Sequence, residues 1–600
     1  MCGIIGYIGE QKAAPLLIEG LKRLEYRGYD SAGIVEVSTY PVGPSPVLKF
    51  LKGPGKIASL RESFKEVERS FKGTLGIGHT RWATHGEPSE RNAHPHISGK
   101  VAVVHNGIIE NHEHLRRELA AQGFVFASET DTEVLPHLIE RELKTGGGNL
   151  EQAVVRALSL VEGAYAIAVV SADHQNEIVA ACNSSPLVVG IGEKELYLAS
   201  DELAFGGKVS AVVHLKDGEV VVLKRNGSYT FRGIPLNEVK TRLEKPSVAE
   251  EISKGGHAHY MYKEILEQPQ AMRNVLAGRL RERSPVTFGG FTPDIESRLR
   301  DARRIMLVGC GTSLFAAMAG KAFIERLAGV VCEAEQAAEF YYRNPAITSG
   351  DVVIGISQSG ETADTLRAIA LARERHTLCL GITNRIGSAL SKRVRAGIYL
   401  HAGPEVAVAS TKAFTAQAAA LMLFAVHLAE LKKRPVSEEL VGQLLRLPAL
   451  MADTFRKEDE IKRTALQCKD AKRMIIIGRG YGLPLALEAA LKIREVAYLD
   501  AHGLSASELK HGTLALVEPG VPVVAIMPSG TLRDKMSSNL EEVKARGGWV
   551  IPIEPPAGLP DELVPIVLAP LVQLLAYHLG VARGVDVDQP RNLAKSVTVE

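Results

Sequence analysis

The chain begins Met1-Cys2-Gly3-Ile4-Ile5-Gly6-Tyr7-Ile8, which puts a cysteine directly after the initiator methionine. Because cysteine is small, we expect the methionine to be removed, which leaves Cys2 with a free α-amino group. Such a group has a pKa of about 7.7–8.0, so near pH 7 part of it is neutral and can accept the thiol proton. A chance cysteine on a frayed terminus is the alternative. The apolar residues from Ile4 to Ile8 instead predict the first strand of a core, with a nucleophile at its start.

Length, charge and cysteine usage limit the class of protein. A chain of 600 residues is long enough for roughly three to five domains, or two large ones. The formal net charge is only +2, so the composition gives no indication of nucleic-acid binding. The six cysteines form no C-x-x-C pair, which is typical of a reducing cytosol. No basic segment precedes an early apolar stretch, so we expect no signal peptide and predict a cytoplasmic protein.

The most membrane-like segment is Leu563–Ala582. It is interrupted by Pro565, Pro570, Gln573 and His578. A membrane span needs about 20 predominantly apolar residues, so we predict a buried helix that begins near Pro570 and no membrane partner.

The pattern of apolar residues in the first 240 positions predicts one layered α+β domain. Short β-rich runs recur, and two helical stretches, Ala13–Tyr26 and Thr132–Lys144, interrupt them. The predicted strands are Gly3–Ile8, Ala32–Val37, Leu75–Thr80, Val101–Asn106, Ala164–Ser171, Glu177–Asn183, Leu187–Ile191, Glu195–Ala199, Ala211–Leu215 and Glu219–Leu223.

The pattern changes after residues 241–250, which carry charge and a proline and predict a linker. Short apolar strands then alternate with long helices, as in parallel α/β sheets. The strands Ile305–Val308 and Val352–Ile356 lead to glycines 51 positions apart, and Met474–Ile477 and Val523–Met527 lead to glycines 52 positions apart. This spacing predicts two copies of one α/β fold, with a boundary near Lys432–Pro435.

A loop rich in hydroxyl groups, Ser357-Gln358-Ser359-Gly360-Glu361-Thr362, closes one predicted strand and opens a helix. The first N–H groups of a helix and its positive dipole end suit a phosphate monoester. The loop has no Lys or Arg and so differs from a P-loop, which needs Gly-Lys-Ser/Thr. An ordinary helix N-cap is the alternative, but we favour a sugar-phosphate site.

A second glycine-containing turn is Gly309-Cys310-Gly311-Thr312-Ser313. It invites a dinucleotide-binding interpretation, which is weak because the third glycine and a suitable downstream acid are missing. We expect instead that Thr312 and Ser313 add hydroxyl groups to the same crevice, at the carboxyl ends of the strands.

The helical pattern of Leu483–Leu499 places Glu488, Lys492 and Glu495 on one face. A solvated salt-bridge stripe is one interpretation. Most other positions are apolar, so we predict a mostly buried helix, in which a lysine flanked by carboxylates has a tunable proton affinity. Such a carboxylate can move a proton between C1 and C2 in aldose–ketose isomerisation, and His511 is a candidate acid/base for ring opening.

Four segments of the first 240 residues can complete an amide-hydrolysing site. Arg81 supplies a guanidinium suited to an amino-acid carboxylate. His105-Asn106-Gly107 supplies a side-chain amide and a backbone N–H suited to an oxyanion hole, unless it forms a hairpin turn. Glu129-Thr130-Asp131-Thr132 supplies a carboxylate for an α-ammonium group, unless it only caps a helix. Arg27–Ser31 supplies a turn beside the first helix.

Histidines are frequent in the same region, but their spacing matches no metal-ligand signature, so we expect no metal and no cofactor. They are His79, His85, His94, His96, His105, His112 and His114.

Together these motifs resemble the glutamine–fructose-6-phosphate aminotransferase (isomerizing) family, also called the glucosamine-6-phosphate synthases, over essentially the whole chain. The most specific matches are Cys2-Gly3-Ile4, the segment His79–Gly86, His105-Asn106-Gly107, the loop Ser357–Thr362 and the tail Asp588–Glu600. The resemblance implies an α+β N-terminal-nucleophile (αββα) glutaminase domain followed by two α/β SIS (sugar isomerase) subdomains with parallel sheets. The implied divisions are a class II glutamine amidotransferase at 1–240, a linker at 241–250, SIS subdomains at 251–432 and 433–588, and a C-terminal active-site tail at 589–600.

The resemblance also implies roles in the first domain. Cys2 attacks the glutamine amide with its own amine as the base, and Asn106 and Gly107 stabilise the oxyanion. Ammonia then crosses a sealed channel to the sugar, with Trp82 as the gate. The implied glutamine-binding residues are Arg81, Thr84, His85 and Asp131.

For the sugar, the resemblance implies that Glu495 moves the proton between C1 and C2, Lys492 shuttles protons and Lys595 forms a Schiff base with the open-chain ketose. The tail must therefore reach the active site. In the family, His511 opens the ring in the neighbouring subunit's site, which implies a homodimer. The implied sugar-phosphate contacts are Thr312, Ser313, Ser357, Gln358, Ser359, Thr362 and Ala594. One departure is Thr513, which stands where the family commonly has proline.

The predicted activity is the conversion of L-glutamine and fructose 6-phosphate into glutamate and glucosamine 6-phosphate, a hexosamine precursor. A sugar-phosphate-binding regulator is an alternative, but no DNA-binding module is evident, and Lys492, Glu495 and Lys595 favour catalysis. A different amidotransferase with a phosphoribosyl or aspartyl acceptor is a third possibility, which the missing P-loop and missing phosphoribosyl-type acidic pair disfavour.

Overall fold

The structure, a computed structural model, describes residues 2–38, 46–246, 253–281 and 285–597. The chain forms two compact units, Met1–Glu251 and Ile252–Thr598. The predicted linker 241–250 lies partly outside the described residues, as do the last three residues of the predicted tail 589–600.

The first unit contains strands and helices in alternating runs. The strands are β1 Gly3–Ile8, β2 Ser31–Ser38, β3 Val47–Pro54, β4 Leu75–Arg81, β5 His96–Ser98, β6 Val101–Ile109, β7 Gly163–Ser171, β8 Glu177–Asn183, β9 Val188–Ile191, β10 Leu196–Ala199, β11 Ala211–His214, β12 Val220–Lys224 and β13 Tyr229–Phe231. The helices are α1 Ala13–Leu24, α2 Ile57–Val67, α3 His112–Ala121, α4 Val134–Thr145, α5 Leu150–Leu158 and α6 Leu236–Thr241.

In the described part of this unit, the strands form two antiparallel sheets, ordered β11-β9-β10-β1-β4-β2-β3 and β13-β12-β8-β7-β6-β5. Alternate residues of β1 face opposite layers, as a strand requires. Ile4 and Ile8 pack between the sheets, whereas Ile5 and Tyr7 pack toward α1. Helices α4 and α5 cover the outer face of the second sheet. The predicted αββα layering is confirmed.

The two predicted helical stretches are confirmed by α1 and α4, but α2, α3, α5 and α6 were missed. Two of the missed helices bury few residues: α3 buries only Leu115 and Leu119, and α6 buries only Val239. An apolar stripe of two residues gives a weak 3.6-residue period, which pattern reading passes over.

The second unit alternates strands with helices. Its strands are β14 Arg304–Gly309, β15 Val331–Gln336, β16 Val352–Ile356, β17 Leu378–Thr383, β18 Ala396–Tyr399, β19 Arg473–Gly478, β20 Asp500–Ser505, β21 Pro522–Ile526 and β22 Trp549–Ile553. Its helices are α7 Tyr260–Leu266, α8 Gln268–Leu276, α9 Pro293–Asp301, α10 Thr312–Ala328, α11 Ala337–Arg343, α12 Ala363–Glu374, α13 Ala389–Arg393, α14 Lys412–Leu431, α15 Glu438–Leu445, α16 Leu447–Thr454, α17 Glu458–Gln467, α18 Gly482–Ala497, α19 Arg533–Lys544, α20 Val564–Val567 and α21 Ala569–Ala582.

These strands form parallel sheets in which the first four strands follow the same order. One sheet runs β15-β14-β16-β17-β18 and the other β20-β19-β21-β22. In each, the first strand in sequence lies between the second and the third, so the loops after β14 and β16 meet at one edge. The predicted parallel α/β architecture is confirmed. The predicted boundary at Lys432–Pro435 falls between α14 and α15.

Two segments of the second unit are long and apolar enough to cross a membrane, Lys412–Leu431 and Asp561–Ala582, and each is 89% buried inside the structure. Core helices of globular proteins pass the same test of length and composition. The prediction of a buried helix near Pro570 is confirmed by α21, which begins at Ala569.

Candidate active sites

Cys2 is partly buried and directly precedes β1. The backbone N–H of Trp82 donates to its Sγ at 3.3 Å. Burial raises the pKa of the Cys2 thiol above its ordinary value. The thiol is therefore protonated near neutral pH, and a nucleophilic role requires a base to remove the proton.

Asn106 and Gly107 lie inside β6, which continues to Ile109. The hairpin-turn interpretation of Asn-Gly is therefore wrong, as is the predicted strand end at Asn106. The side-chain amide of Asn106 donates to the backbone carbonyl of Cys2 at 3.0 Å. Gly107 has φ +142°, and an added Cβ would lie 1.9 Å from the carbonyl oxygen of Ala164. Only glycine fits this close approach to the neighbouring strand.

Buried histidines hold Asn106 in place. His79 Nε2 lies 2.9 Å from the carbonyl oxygen of His105 and 3.1 Å from Asn106 Oδ1, so it acts as a donor. Burial lowers the pKa of His79 to about 3, which keeps the ring neutral. The His94 ring stacks on it with centroids 4.0 Å apart. With Oδ1 held by His79, the NH₂ group of Asn106 is turned toward Cys2.

Arg81 braces the loop that follows β4. Its guanidinium donates to the carbonyl oxygens of His85, Gly86 (2.9 Å) and Glu87 (3.4 Å). Thr84, on this loop, is exposed and lies 3.3 Å from His85 Nδ1. The structure therefore shows Arg81 as the organiser of the loop, while its contact with a substrate carboxylate stays a prediction.

Asp131 is the buried acid of its segment. It is 4% exposed, begins a 3₁₀ turn, Asp131–Glu133, and accepts a hydrogen bond from the Ile109 N–H at 2.8 Å. Glu129 instead pairs with Arg91 at 2.7 Å, where both side chains are more than half exposed. Asp131 is thus tied to the end of the strand that carries Asn106.

Sequence reasoning missed two residues, one that contacts Cys2 and one that holds the backbone after Trp82. Arg27 Nε donates to the Cys2 carbonyl oxygen at 3.2 Å, and Asp30 accepts from the Ala83 N–H at 2.8 Å. The signal was the segment Arg27–Ser31, which we interpreted only as a turn.

In the second unit, the loop Ser357–Thr362 joins β16 to α12. The hydroxyl oxygens of Ser357 and Thr362 are 2.9 Å apart, and the Gly360 N–H donates to Ser357 Oγ at 3.0 Å. Thr362 precedes α12 without a side-chain cap bond, so the loop is not an ordinary N-cap. The Gln358 carbonyl accepts from the Asn384 N–H at 3.0 Å, which ties the loop to the end of β17.

Ser313 and Thr312 turn their hydroxyl groups in different directions. Gln417 Nε2 donates to Ser313 Oγ at 3.0 Å. The Thr312 hydroxyl lies 3.0 and 3.2 Å from the carboxylate oxygens of Glu488 on α18, so it bonds to the second repeat. The predicted contact between Thr312 and a phosphate is not tested by this bond and stays a prediction.

The charged face of α18 is buried. The side chains of Glu488 and Lys492 are 0% and 1% exposed, and that of Glu495 is 20% exposed, so the solvated-stripe interpretation is wrong. Lys492 Nζ makes a close ion pair with Glu495 and lies 3.7 Å from Glu488. Burial, reinforced by the nearby Glu495, raises the pKa of Glu488 to about 8, although Lys492 opposes the shift. At neutral pH Glu488 is therefore largely protonated, so Lys492 lies between a neutral carboxyl group and Glu495.

The C-terminal tail is described to residue 597 and contacts the hydroxyl loop. Ser596 Oγ lies 2.8 Å from Ser359 Oγ, and the Val597 carbonyl accepts from the Ala363 N–H at 3.1 Å. Lys595 Nζ donates to Glu405 at 2.5 Å, with side chains 3% and 0% exposed. Ala594, before it, is half-buried. The tail therefore contacts the hydroxyl loop, and the prediction that it reaches the active site stays a prediction.

Glu405 was missed by sequence reasoning. Its carboxylate also accepts from the backbone N–H groups of Thr411 (2.8 Å) and Ala413 (3.0 Å). Burial opposes its ionisation, but Lys595 and these donors outweigh burial and lower the pKa of Glu405. The pair is therefore a true ion pair at neutral pH.

His511 is exposed at the end of a 3₁₀ turn, Ala506–His511. Gly512 follows with φ +148°, and Thr513 begins the next turn, Thr513–Leu516. Thr513 therefore occupies the first position of a turn, where a proline would also fit.

Two protein-family models match three segments of the chain. Residues 79–213 match a glutamine amidotransferase domain. Residues 298–427 and 468–554 both match the SIS domain, which confirms the predicted repeat.

Full-length relatives carry the comparison further. A glutamine–fructose-6-phosphate aminotransferase (isomerizing) of Chlorobaculum tepidum is 46% identical, and one of Escherichia coli O157:H7 is 41% identical, each covering 100% of both chains. The solved C-terminal domain of glucosamine-fructose-6-phosphate aminotransferase from Francisella tularensis is 35% identical and superposes with a TM-score of 0.53, covering 56% of this chain and 100% of that one. Because the identity extends over whole chains, this protein belongs to the glutamine–fructose-6-phosphate aminotransferase (isomerizing) family of enzymes.

Proposed function

We propose that this enzyme hydrolyses L-glutamine at Cys2 and delivers the ammonia to fructose 6-phosphate, which it aminates and isomerises to glucosamine 6-phosphate. The position of Lys595 carries the proposal. A lysine near the end of a 600-residue chain is buried against Glu405, while its neighbour Ser596 contacts the hydroxyl loop. An amine next to a loop rich in hydroxyl groups suits Schiff-base chemistry on a sugar phosphate.

In the glutaminase half, the α-amino group of Cys2 takes the thiol proton, and the sulfur attacks the amide carbon. The raised pKa of the thiol supports this need for a base. Asn106 and the Gly107 N–H stabilise the oxyanion that forms. Arg81, Thr84, His85 and Asp131 hold the glutamine.

Ammonia released at Cys2 must reach the sugar without meeting solvent, because water would protonate it and remove its lone pair. A sealed channel meets this need, and Trp82 is the gate. The hydrogen bond from the Trp82 N–H to Cys2 Sγ supports this role. When the sulfur reacts with glutamine, this bond changes, and the backbone of Trp82 can move in response.

In the sugar half, His511 opens the ring and Lys595 forms the Schiff base at C2. Glu495 then moves the proton between C1 and C2, and Lys492 shuttles protons to and from it. The ion pair of Lys492 with Glu495 supports these roles, because it places the two side chains close enough to exchange a proton. The phosphate contacts are Thr312, Ser313, Ser357, Gln358, Ser359, Thr362 and Ala594.

The proposal includes a cytoplasmic homodimer in which each His511 serves the neighbouring subunit. The exposure of His511 in the single chain supports this assignment. The proposal keeps the predicted divisions. They are the amidotransferase domain at 1–240, the linker at 241–250, the SIS subdomains at 251–432 and 433–588, and the tail at 589–600.

The direct test is to incubate the purified full-length protein with L-glutamine and fructose 6-phosphate and to assay for amino sugar. Formation of glucosamine 6-phosphate together with an equal amount of glutamate supports the proposal. Saturable sugar-phosphate binding without any product would instead indicate a binding protein.

A further inference from the structure

A buried carboxyl group, Glu264, lies beside the pair of Lys595 and Glu405 and has no part in the function proposed above. Glu264 lies on α7 and is 2% exposed. Its Oε1 accepts hydrogen bonds from the N–H groups of Val406 (2.5 Å) and Ala407 (3.2 Å), the two residues after Glu405. Its Oε2 is buried and has no hydrogen-bond partner among the described residues.

Two buried carboxyl groups therefore hold one turn from its two ends. Glu264 binds the N–H groups of residues 406 and 407, and Glu405 binds those of Thr411 and Ala413. Lys595 bonds to one of the two carboxyl groups, that of Glu405. Lys412, at the start of α14, pairs instead with Glu267 at 2.7 Å.

Charged groups on several elements surround Glu264. They are Glu405 on the turn, Lys595 on the tail, Lys412 on α14, the pair Lys263–Glu267 at the end of its own helix, and Asp588, which accepts from the Tyr260 and Met261 N–H groups at the helix start. Burial and then the charge on Glu405 raise the pKa of Glu264 to about 8, against the pull of Lys595 and Lys412. Near pH 7 Glu264 is a neutral acid, which fits the unpaired Oε2 better than a buried charge would.

We propose that Glu264 is a positioning residue for the Schiff-base step: it holds the Glu405 turn as a neutral acid, so that Lys595 faces one carboxylate and not two. The inference rests on the role proposed for Lys595. Before its nitrogen attacks the C2 carbonyl, the Lys595 ammonium must pass one proton to Glu405. The C–N bond then forms, and the two hydrogens left on nitrogen leave with the carbonyl oxygen as water.

A second negative charge at Glu264 would hold the proton on Lys595 and reduce the fraction of free amine. The side chain must nevertheless accept two backbone hydrogen bonds, which an apolar residue cannot do. A neutral acid meets both requirements. Glutamine meets them as well, because its carbonyl oxygen accepts hydrogen bonds and it never ionises.

The test compares Glu264→Gln, Glu264→Leu and the unchanged full-length enzyme by borohydride trapping with fructose 6-phosphate between pH 6.5 and 9.5. We expect Glu264→Gln to match the unchanged enzyme at pH 6.5 and to be trapped roughly threefold to tenfold faster at pH 9.5, where Glu264 ionises in the unchanged enzyme. Glu264→Leu is slower at every pH because the turn loses its acceptor.

Thermal unfolding gives a second measurement that does not depend on catalysis. The pKa of Glu264 is higher in the folded protein than in the unfolded chain, so its contribution to stability is complete below about pH 4.5 and is lost as the pH rises through about 8. The melting temperature of the unchanged enzyme should fall relative to that of Glu264→Gln between pH 5 and 8 and change no further above.

Identical pH profiles for the unchanged enzyme and Glu264→Gln overturn the proposal. A folded Glu264→Gln that is trapped more than tenfold more slowly at pH 6.5 also overturns it, because the carboxylate charge would then be required. If the unchanged enzyme binds the sugar phosphate but is never trapped, the assignment of Lys595 fails and this inference fails with it.

Discussion

Asn106 donates its side-chain amide to the carbonyl oxygen of Cys2 at 3.0 Å. The two residues come from different sheets of the first unit, since Cys2 precedes β1 and Asn106 lies on β6. The nucleophile and its nearest amide donor are therefore positioned by the packing of two rigid sheets and not by a mobile loop.

Replacement of Asn106 by alanine tests whether this donor acts in the transition state. We expect Asn106→Ala to lower the kcat of glutaminase activity by about 10²–10³-fold with little change in KM, because an oxyanion donor acts mainly on the transition state. Steady-state release of glutamate measures this. Asn111→Ala is the matched control, since Asn111 donates to the Leu160 carbonyl on the exposed surface. An Asn106→Ala enzyme within about threefold of the control would remove Asn106 from the oxyanion hole.

Replacement of Cys2 separates the two chemistries. We expect Cys2→Ala to abolish glutamine-dependent synthesis and to leave hexose-phosphate isomerisation, because the proposed isomerase residues all lie in the other unit. Product assays with glutamine and with fructose 6-phosphate alone measure the two activities. Cys182→Ala, a change at a buried cysteine of the same unit, should keep both. Loss of both activities in folded Cys2→Ala would contradict the two-site assignment.

Some features of the fold were predictable from sequence because they are local. Strand β1 has both faces covered, with Ile4 toward the second sheet and Ile5 toward α1, so its run of apolar residues is easy to recognise. The same holds for β16, whose five residues are all buried. A helix such as α3, which buries two residues, leaves almost no such pattern.

The sites were predictable where a motif carries the chemistry, as at Cys2, Asn106 and the loop Ser357–Thr362. They were not predictable where the partner is distant in sequence. Glu405 meets a lysine 190 positions later, and Thr312 meets a glutamate 176 positions later. Only tertiary packing brings these pairs together, so the spacing of residues along a single helix or loop cannot predict them.

The tail lysine gives a chemical test. We expect Lys595→Ala to remove borohydride trapping of the sugar phosphate, because no other amine then lies against Glu405 in the described residues. It should also lower the free energy of unfolding by about 3 kcal/mol, since Glu405 is left as a buried charge without its cation. Mass spectrometry of the trapped adduct measures the first effect and urea unfolding the second.

Two further variants show whether a loss of trapping reflects the missing amine or a misfolded protein. Lys595→Arg keeps the ion pair but cannot form a Schiff base, so it should fold and remain untrapped. Lys412→Met removes another buried lysine, which pairs with Glu267, and should still be trapped. An adduct that persists in Lys595→Arg would show that a different lysine reacts.

We expect the free energy of unfolding to depend on pH through Glu488. Its pKa in the folded protein, about 8, is above the ordinary value of 4.5, so its contribution to stability is complete below about pH 4.5 and is lost as the pH rises through about 8. Glu488→Gln should gain stability over the unchanged enzyme across this window by at most about 1.4 kcal/mol per pH unit. Urea unfolding at pH 5, 6.5 and 8 measures the difference. A constant difference across the three values would mean that Glu488 is ionised throughout.

Asp561 shows how the second repeat differs from the first at the loop after its third strand. Its carboxylate accepts from the Ser529 N–H at 2.5 Å and from the Gly530 N–H at 3.1 Å, so an internal acid fills the loop that follows β21. In the first repeat, the corresponding loop after β16 contacts the tail instead. The N–H groups of the second loop are therefore already bonded to an acid of the protein itself.

We accordingly expect Asp561→Ala to lower the free energy of unfolding by about 1–2 kcal/mol, because two partly exposed N–H groups lose their acceptor. Synthesis of amino sugar should stay within about twofold of the unchanged enzyme, since the proposed chemistry uses the first loop alone. Asp534→Ala, at an exposed position in the first turn of α19, should change stability by less than about 0.5 kcal/mol. If Asp561→Ala were fully stable but lost synthesis, the second loop would belong to the catalytic site, and the assignment of one sugar-phosphate cradle to the first repeat would be wrong.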